Sequence, residues 1–148
     1  MSFVRIVNHL VFSTKNREPW LEEEIQSSMF AYMGGIVRER KGTLMEAGGM
    51  ADHVHLLVAM HQTTAVADLV RDIKSGSSRW MHERDTNFHS FAWQTKYGAF
   101  SVSRSMEETV CAYIRNQKEH HRKRTFQDEF RIMLDRHGFS YDERYMWE

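Results

Sequence analysis

Two short patterns in the chain have the residue types and spacing for chemistry. The first is His53-Val54-His55-Leu56-Leu57-Val58-Ala59-Met60. Read as a strand, alternation places His53, His55, Leu57 and Ala59 on one face and Val54, Leu56, Val58 and Met60 on the other. The uniformly apolar face predicts contact with helices. The other carries two imidazoles side by side, at a spacing from which both reach a single cation. Alone, this H-x-H also describes two half-exposed strand histidines in a chain that has nine. The second pattern is helical, with Met106, Val110, Tyr113, Gln117 and His120 close to one line at about 100° per residue. Tyr113 and Gln117, one turn apart, can present a phenol oxygen and an amide oxygen to the same point. With His120, His121 and a basic run after them, Tyr113 reads less as a packed tyrosine than as a nucleophile beside a metal ligand and a phosphate-contacting patch.

The elements that position these residues follow from local signals. Val4 to Thr14 reads as a strand, and a turn at Asn16 to Pro19 leads to an acidic helix start at Glu22, Glu23 and Glu24. That helix is expected to run to about Lys41, with Gly34 and Gly35 marking close packing or a bend. Thr43–Gly48 and His53–Met60 form a hairpin around a Gly-containing loop. A helix follows from about Thr64 to Arg84. Phe91–Thr95 and Ala99–Ser103 supply one or two further strands around Gly98. Ser105 and Glu108 have the spacing of a capping box, opening a helix that should reach Arg122. A last helix is expected over Phe126–His137, stopped by Gly138. Strand, helix, strand, strand, helix, strand is the split βαβ order. It predicts an α+β, ferredoxin-like (RRM-like) antiparallel sheet with its crossover helices on one face, the other face open, and a C-terminal helix carrying Tyr113.

Composition narrows the function classes. A length of 148 residues predicts one domain spanning 1–148, and 41% hydrophobic residues give it material for a core. The lone cysteine, Cys111, cannot form an internal disulfide and suits a reducing, cytoplasmic setting. No apolar run is long enough for a membrane span, so no membrane partner is expected. Twenty basic and twenty acidic residues cancel, so overall charge does not announce a nucleic-acid partner. Its distribution does more: Arg115, Lys118, Arg122, Lys123 and Arg124 lie in ten residues with Glu119 as the one acid. Lys15, Arg17 and Arg104 join Arg115, Lys118, Arg122 and Lys123 as candidate DNA-backbone contacts.

His53-Val54-His55, the segment Tyr113-Ile114-Arg115-Asn116-Gln117, and Trp93-Gln94-Thr95-Lys96-Tyr97-Gly98-Ala99-Phe100-Ser101 together resemble the HUH-type transposases with a single catalytic tyrosine. These serve small insertion sequences and include the REP-associated tyrosine transposases. The opening His9-Leu10-Val11-Phe12-Ser13-Thr14-Lys15-Asn16-Arg17 and the ending Tyr141-Asp142-Glu143-Arg144-Tyr145 extend the resemblance nearly end to end. It implies a divalent metal on His53 and His55, completed by Gln117, with Tyr113 as nucleophile. It also implies single-stranded DNA with a hairpin as partner, and a homodimer in which the tyrosine helix commonly docks against the other subunit's histidines.

These residue types suit transesterification, which needs an oxygen nucleophile and a cation on the non-bridging oxygens of the scissile phosphate. Two neutral imidazoles and a neutral amide leave the charge of Mg²⁺ or Mn²⁺ for phosphate oxygens and water to balance. The absence of cysteines near His53 disfavours structural zinc, and the absence of a P-loop matches a reaction without a nucleotide cofactor. Two other readings remain open: a domesticated, non-catalytic protein that binds DNA or RNA hairpins, and a metal-dependent hydrolase using activated water.

Overall fold

The structure, a computed structural model, describes residues 2–147. Its strands are β1 (Ile6–Ser13), β2 (Thr43–Met50), β3 (His53–Met60) and β4 (Gly98–Ser101). Its helices are α1 (Glu23–Glu39), α2 (Val66–Arg84), α3 (Glu107–Arg115), α4 (Gln117–His121) and α5 (Phe126–Arg136). The sheet order is β2-β3-β1-β4 with every neighbouring pair antiparallel, as the split βαβ reading requires. No helix among the described residues is long and apolar enough to cross a membrane.

Strand alternation sorts the side chains as expected. Leu10 and Phe12 of β1 and Val54, Leu56, Val58 and Met60 of β3 meet Ile25, Met29, Met33 and Val37 of α1 and Leu69, Val70, Ile73 and Met81 of α2. Each such fully buried aliphatic side chain contributes roughly 1.5–3 kcal/mol, so this layer is the main support of the sheet. α1 continues through Gly34 without a break. This glycine lets the helix down onto Leu44 of β2.

The second face departs from expectation, because it is covered rather than open. Val7 and Leu57 pack on Ile114 of α3, while Val11 and Phe100 pack on Phe126 and Met133 of α5. The cause lies in α5 itself: Phe126, Phe130 and Met133 form an apolar stripe at helical spacing that must be buried somewhere. Thr125 caps this helix by accepting from the Asp128 amide at 3.2 Å, and Gly138 ends it with φ +75°.

Two further expectations change. The helix predicted from Ser105 to Arg122 is two helices. Ser105 lies in a 3-10 turn over 104–106 and its hydroxyl pairs with that of Ser103, so the capping box does not form. Glu107 opens α3 instead, held by Arg5. At Asn116 the backbone leaves helical geometry (φ −100°, ψ 31°), and its carbonyl accepts the amides of Glu119 and His120, starting α4 afresh. Phe91–Thr95 is also not a strand. Trp93 makes a single bridge to Thr14, and its indole N–H donates to the Ser77 hydroxyl at 2.9 Å.

Gly48 of β2 is where α3 touches the sheet, and a Cβ there would overlap the Ile114 carbonyl oxygen. Gly48→Ala should therefore cost about 1–3 kcal/mol by overpacking. Gly35→Ala, inside α1 with only the end of Arg38 nearby, should gain about 1 kcal/mol of helix propensity. Denaturant midpoints of the two variants shifting in the same direction would contradict this account of the packing.

Candidate active site and metal centre

β3 delivers His53 and His55 to the face beneath α3 and α5, and both are fully buried. Antiparallel register places Ser13 opposite His53, Val11 opposite His55 and His9 opposite Leu57, so His9 shares the histidine face. His9 Nε2 lies 2.8 Å from His55 Nδ1, and Asp52 Oδ1 lies 2.7 Å from His53 Nδ1. Both inner nitrogens are thus occupied, which leaves each Nε2 facing the covering helices. Burial, followed by the neighbouring His55, pushes the His9 pKa down to about 3, so His9 is a neutral imidazole whose Nε2–H can donate to His55 Nδ1, leaving the one N–H of a neutral His55 on its Nε2. Burial also lowers the His55 pKa. Although burial opposes ionisation of Asp52, its hydrogen bond with His53 holds the carboxyl below its ordinary range.

The residue on which these groups converge is Glu129 of α5, a position that composition and spacing did not single out. Its Oε1 is 2.8 Å from His55 Nε2, 3.3 Å from His121 Nε2 and 3.6 Å from His53 Nε2. Its Oε2 accepts from the Tyr113 hydroxyl and from Gln117 Nε2 at 3.3 Å. The amide oxygen of Gln117 is 3.1 Å from His53 Nε2. Tyr113, Gln117, His53 and His55 therefore do come together, with Glu129 as a fifth member. Burial raises the Glu129 pKa, but hydrogen bonds from His121 and His55 outweigh it and hold the carboxyl well below its usual range. Burial, then the Glu129 charge, drives the Tyr113 pKa upward, so the resting phenol is neutral. His121 is raised because its hydrogen bond to Glu129 overcomes burial.

Glu129 had a signal in the sequence: it interrupts the apolar stripe of Phe126, Phe130 and Met133, where a carboxylate is costly unless paired. His9 had one in the alternation of Val7, His9 and Val11, but its use depends on which strand lies beside β1.

The donor set fits a divalent cation. His53, His55 and Glu129 each offer a ligand atom, and these atoms lie within 4.8 Å of one another. Two imidazole nitrogens with a hard carboxylate oxygen suit Mn²⁺ or Mg²⁺. Relative to the expected set of His53, His55 and Gln117, Glu129 adds one negative charge, so the ion would not depend on substrate for all its compensation.

The candidate DNA contacts do not form one unpaired patch. Arg115 pairs with Glu46 at 2.9 Å, Lys118 with Glu23, Arg122 with Glu119 at 3.5 Å, and Arg104 lies 3.9 Å from Glu107. Arg17 sits over the Trp147 ring, and Lys15 and Lys123 are exposed. Such surface pairs are worth about 0–1 kcal/mol and do not prevent a phosphate from displacing the carboxylate.

Tyr113 lies against its own chain's histidines, its ring 5.8 Å from that of His55 and stacked on His120 at 4.4 Å. Comparison with known families adds a decisive observation: a family model described as "Transposase IS200 like" matches residues 2–117. The chain belongs to the IS200-like transposase family. Among its relatives is the ISDra2 transposase TnpA of Deinococcus radiodurans, 24% identical over 116 residues, covering 75% of this chain and 83% of that protein. A crystal structure described as that of a transposase from Deinococcus radiodurans aligns with TM-score 0.61 and 25% identity, over 78% of this chain and 93% of that one. A REP-associated tyrosine transposase bound to a REP hairpin shares the fold, with TM-score 0.58 and 12% identity, over 77% of this chain and 67% of that one. The IS200-like match ends at Gln117, so α5 and its Glu129 lie beyond the matched residues.

Manganese binding tests the cluster. Titration of the purified protein, followed by the EPR signal of free Mn²⁺, should show binding weakened roughly 10–100-fold in His9→Ala, which frees the inner nitrogen of His55. Glu129→Gln should weaken it at least as much. Wild-type affinity in Glu129→Gln would remove the carboxylate from the metal centre.

Proposed function

We propose that this IS200-like transposase cuts and rejoins single-stranded DNA by transesterification, with Tyr113 as nucleophile. The observation that carries the reading is the convergence of the Tyr113 hydroxyl, two buried imidazoles and the Gln117 amide on one carboxylate. Hairpin binding, whether to DNA or RNA, demands no such arrangement. Neutral Tyr113 gives up its proton as its oxygen attacks phosphorus, and the hydrogen bond to Glu129 Oε2 already defines a path for that proton. The Tyr113 oxygen bonds to the scissile phosphorus, which stays on the 5′ end of the downstream strand, and the P–O3′ bond breaks, so that the upstream strand leaves as a 3′-OH carrying the proton that Tyr113 released. The phosphodiester energy stays in the adduct, so a 3′-OH can attack it and rejoin DNA without a nucleotide cofactor. A divalent ion held by His53, His55 and Glu129, with Gln117 beside them, would supply Lewis-acid stabilisation of the non-bridging oxygens. His9 and Asp52 hold the two imidazoles in register for that task.

Hairpin-bearing single strands are the substrate class favoured by the shared fold of the REP-hairpin-bound transposase. The placement of Tyr113 beside its own His55 favours a site completed within one chain, rather than by exchange of the tyrosine helix in a homodimer.

The test is a single-stranded oligonucleotide carrying the hairpin from DNA flanking the gene, incubated with protein and Mg²⁺ or Mn²⁺ and resolved on a denaturing gel. Cleavage should require the ion and fall by at least about 100-fold in His53→Ala and His55→Ala, and the same sequence as a full duplex should resist. Equal cutting of duplex, or full activity in both histidine variants, would refute the reading. Mixing Tyr113→Phe with His55→Ala protein should leave cleavage absent. Restored cleavage would show that the site is assembled between subunits.

A further inference from the structure

Tyr113 and Glu129 stand at one end of a cleft between α3 and α5 that encloses about 520 Å³. Its buried lining includes Phe100 of β4 and Met133 of α5, joined by the partly buried Val110 of α3. The exposed ring of His137 is stacked on the buried ring of Phe100, 4.5 Å away at an interplanar angle of 30°, and presents the cleft with an aromatic face toward solvent. Arg124 and Arg136 also line the cleft, both exposed. Neither pairs with a carboxylate among the described residues, unlike Arg104, Arg115, Lys118 and Arg122. Arg124 is close enough to Tyr113 to oppose the rise in its pKa. The one carboxylate in the lining, Glu129, is already engaged by Tyr113, His55 and His121.

An aromatic and aliphatic slot with two unpaired guanidinium groups is complementary to a flat ring that carries an anion. A purely apolar ligand would leave the arginines unused, and a bare phosphate would leave the slot empty. A nucleotide of an unpaired strand matches both parts, since any base presents a π-face for stacking and its backbone presents the charge. We propose that this cleft seats one unstacked nucleotide of the DNA strand, immediately beside the phosphate attacked by Tyr113, with its base against His137, itself backed by Phe100, and its phosphate at Arg124 and Arg136. This rests on the reading of Tyr113 as nucleophile toward a single strand. It adds a subsite that selects where along the strand the cut falls.

Equilibrium binding tests the subsite apart from catalysis. The wild-type chain, without divalent ion so that the strand stays intact, is titrated into fluorescein-labelled single-stranded oligonucleotides of the flanking sequence, each with an abasic residue at a different position. Affinity should drop roughly tenfold or more at one position, next to the phosphate that is cut once Mn²⁺ is added. Val110→Trp, which fills the slot, should bind the intact strand about as weakly as wild type binds that abasic strand. Arg136→Glu, at the exposed end of the cleft and least able to disturb folding, should weaken binding and reduce the slope of log affinity against log salt by about one. Uniform affinity across the abasic series, absence of strand binding, or wild-type affinity and salt slope in Arg136→Glu would each overturn the proposal. If one abasic position and Arg136→Glu weaken binding as expected but Mn²⁺ produces no cleavage, the nucleotide-binding cleft stands, and its place beside an attacked phosphate falls with the nuclease reading.

Discussion

Burying a carboxylate costs several kcal/mol unless hydrogen bonds and opposite charge replace its water. Glu129 is buried, and its partners come from three elements: His55 from β3, Tyr113 from α3, and Gln117 with His121 from α4. The apolar stripe of α5 would pack on the sheet in several registers. The demand that Glu129 be satisfied selects one, and that register closes the site. The same carboxylate joins the two halves of the proposed chemistry, since Oε1 faces the imidazoles and Oε2 faces the phenol.

The frame around this interaction is stiff. α1 and α2 fasten one face of the sheet through a continuous apolar layer, which leaves β3 no freedom to rotate its histidines. Gly48 admits the backbone of α3 to the other face and thereby sets the height of Tyr113 above His55. The break at Asn116 redirects the chain so that His120 stacks on Tyr113 while His121 turns toward Glu129. Regular helix would carry these two histidines along one cylinder, and the interruption spreads them over both sides of the site.

Much of this was legible in the sequence where a single element sufficed. Strand alternation put His53 and His55 together, and helical spacing put Gln117 near Tyr113 despite the break between them, because α4 begins at once. The βαββαβ order gave the sheet, which antiparallel pairing then realised. What escaped depends on contacts between elements distant in sequence. His9 reaches His55 only through the register of β1 against β3. Glu129 reaches the histidines only because α5 folds back across a face that, judged from the crossover helices alone, looked open. The capping pattern at Ser105 misled because Arg5, a hundred residues away, holds Glu107 and moves the helix start.

The account stands or falls on the atom that attacks phosphorus. Wild-type protein incubated with a single-stranded hairpin substrate and Mn²⁺, then digested and examined by mass spectrometry, should carry a 5′-linked nucleotide on the peptide containing Tyr113. Tyr113→Phe, which loses one oxygen and little volume, should keep its fold and its Mn²⁺ affinity yet form no adduct. An adduct on Tyr97, Tyr141 or Tyr145, or cleavage by Tyr113→Phe at the wild-type rate, would contradict it.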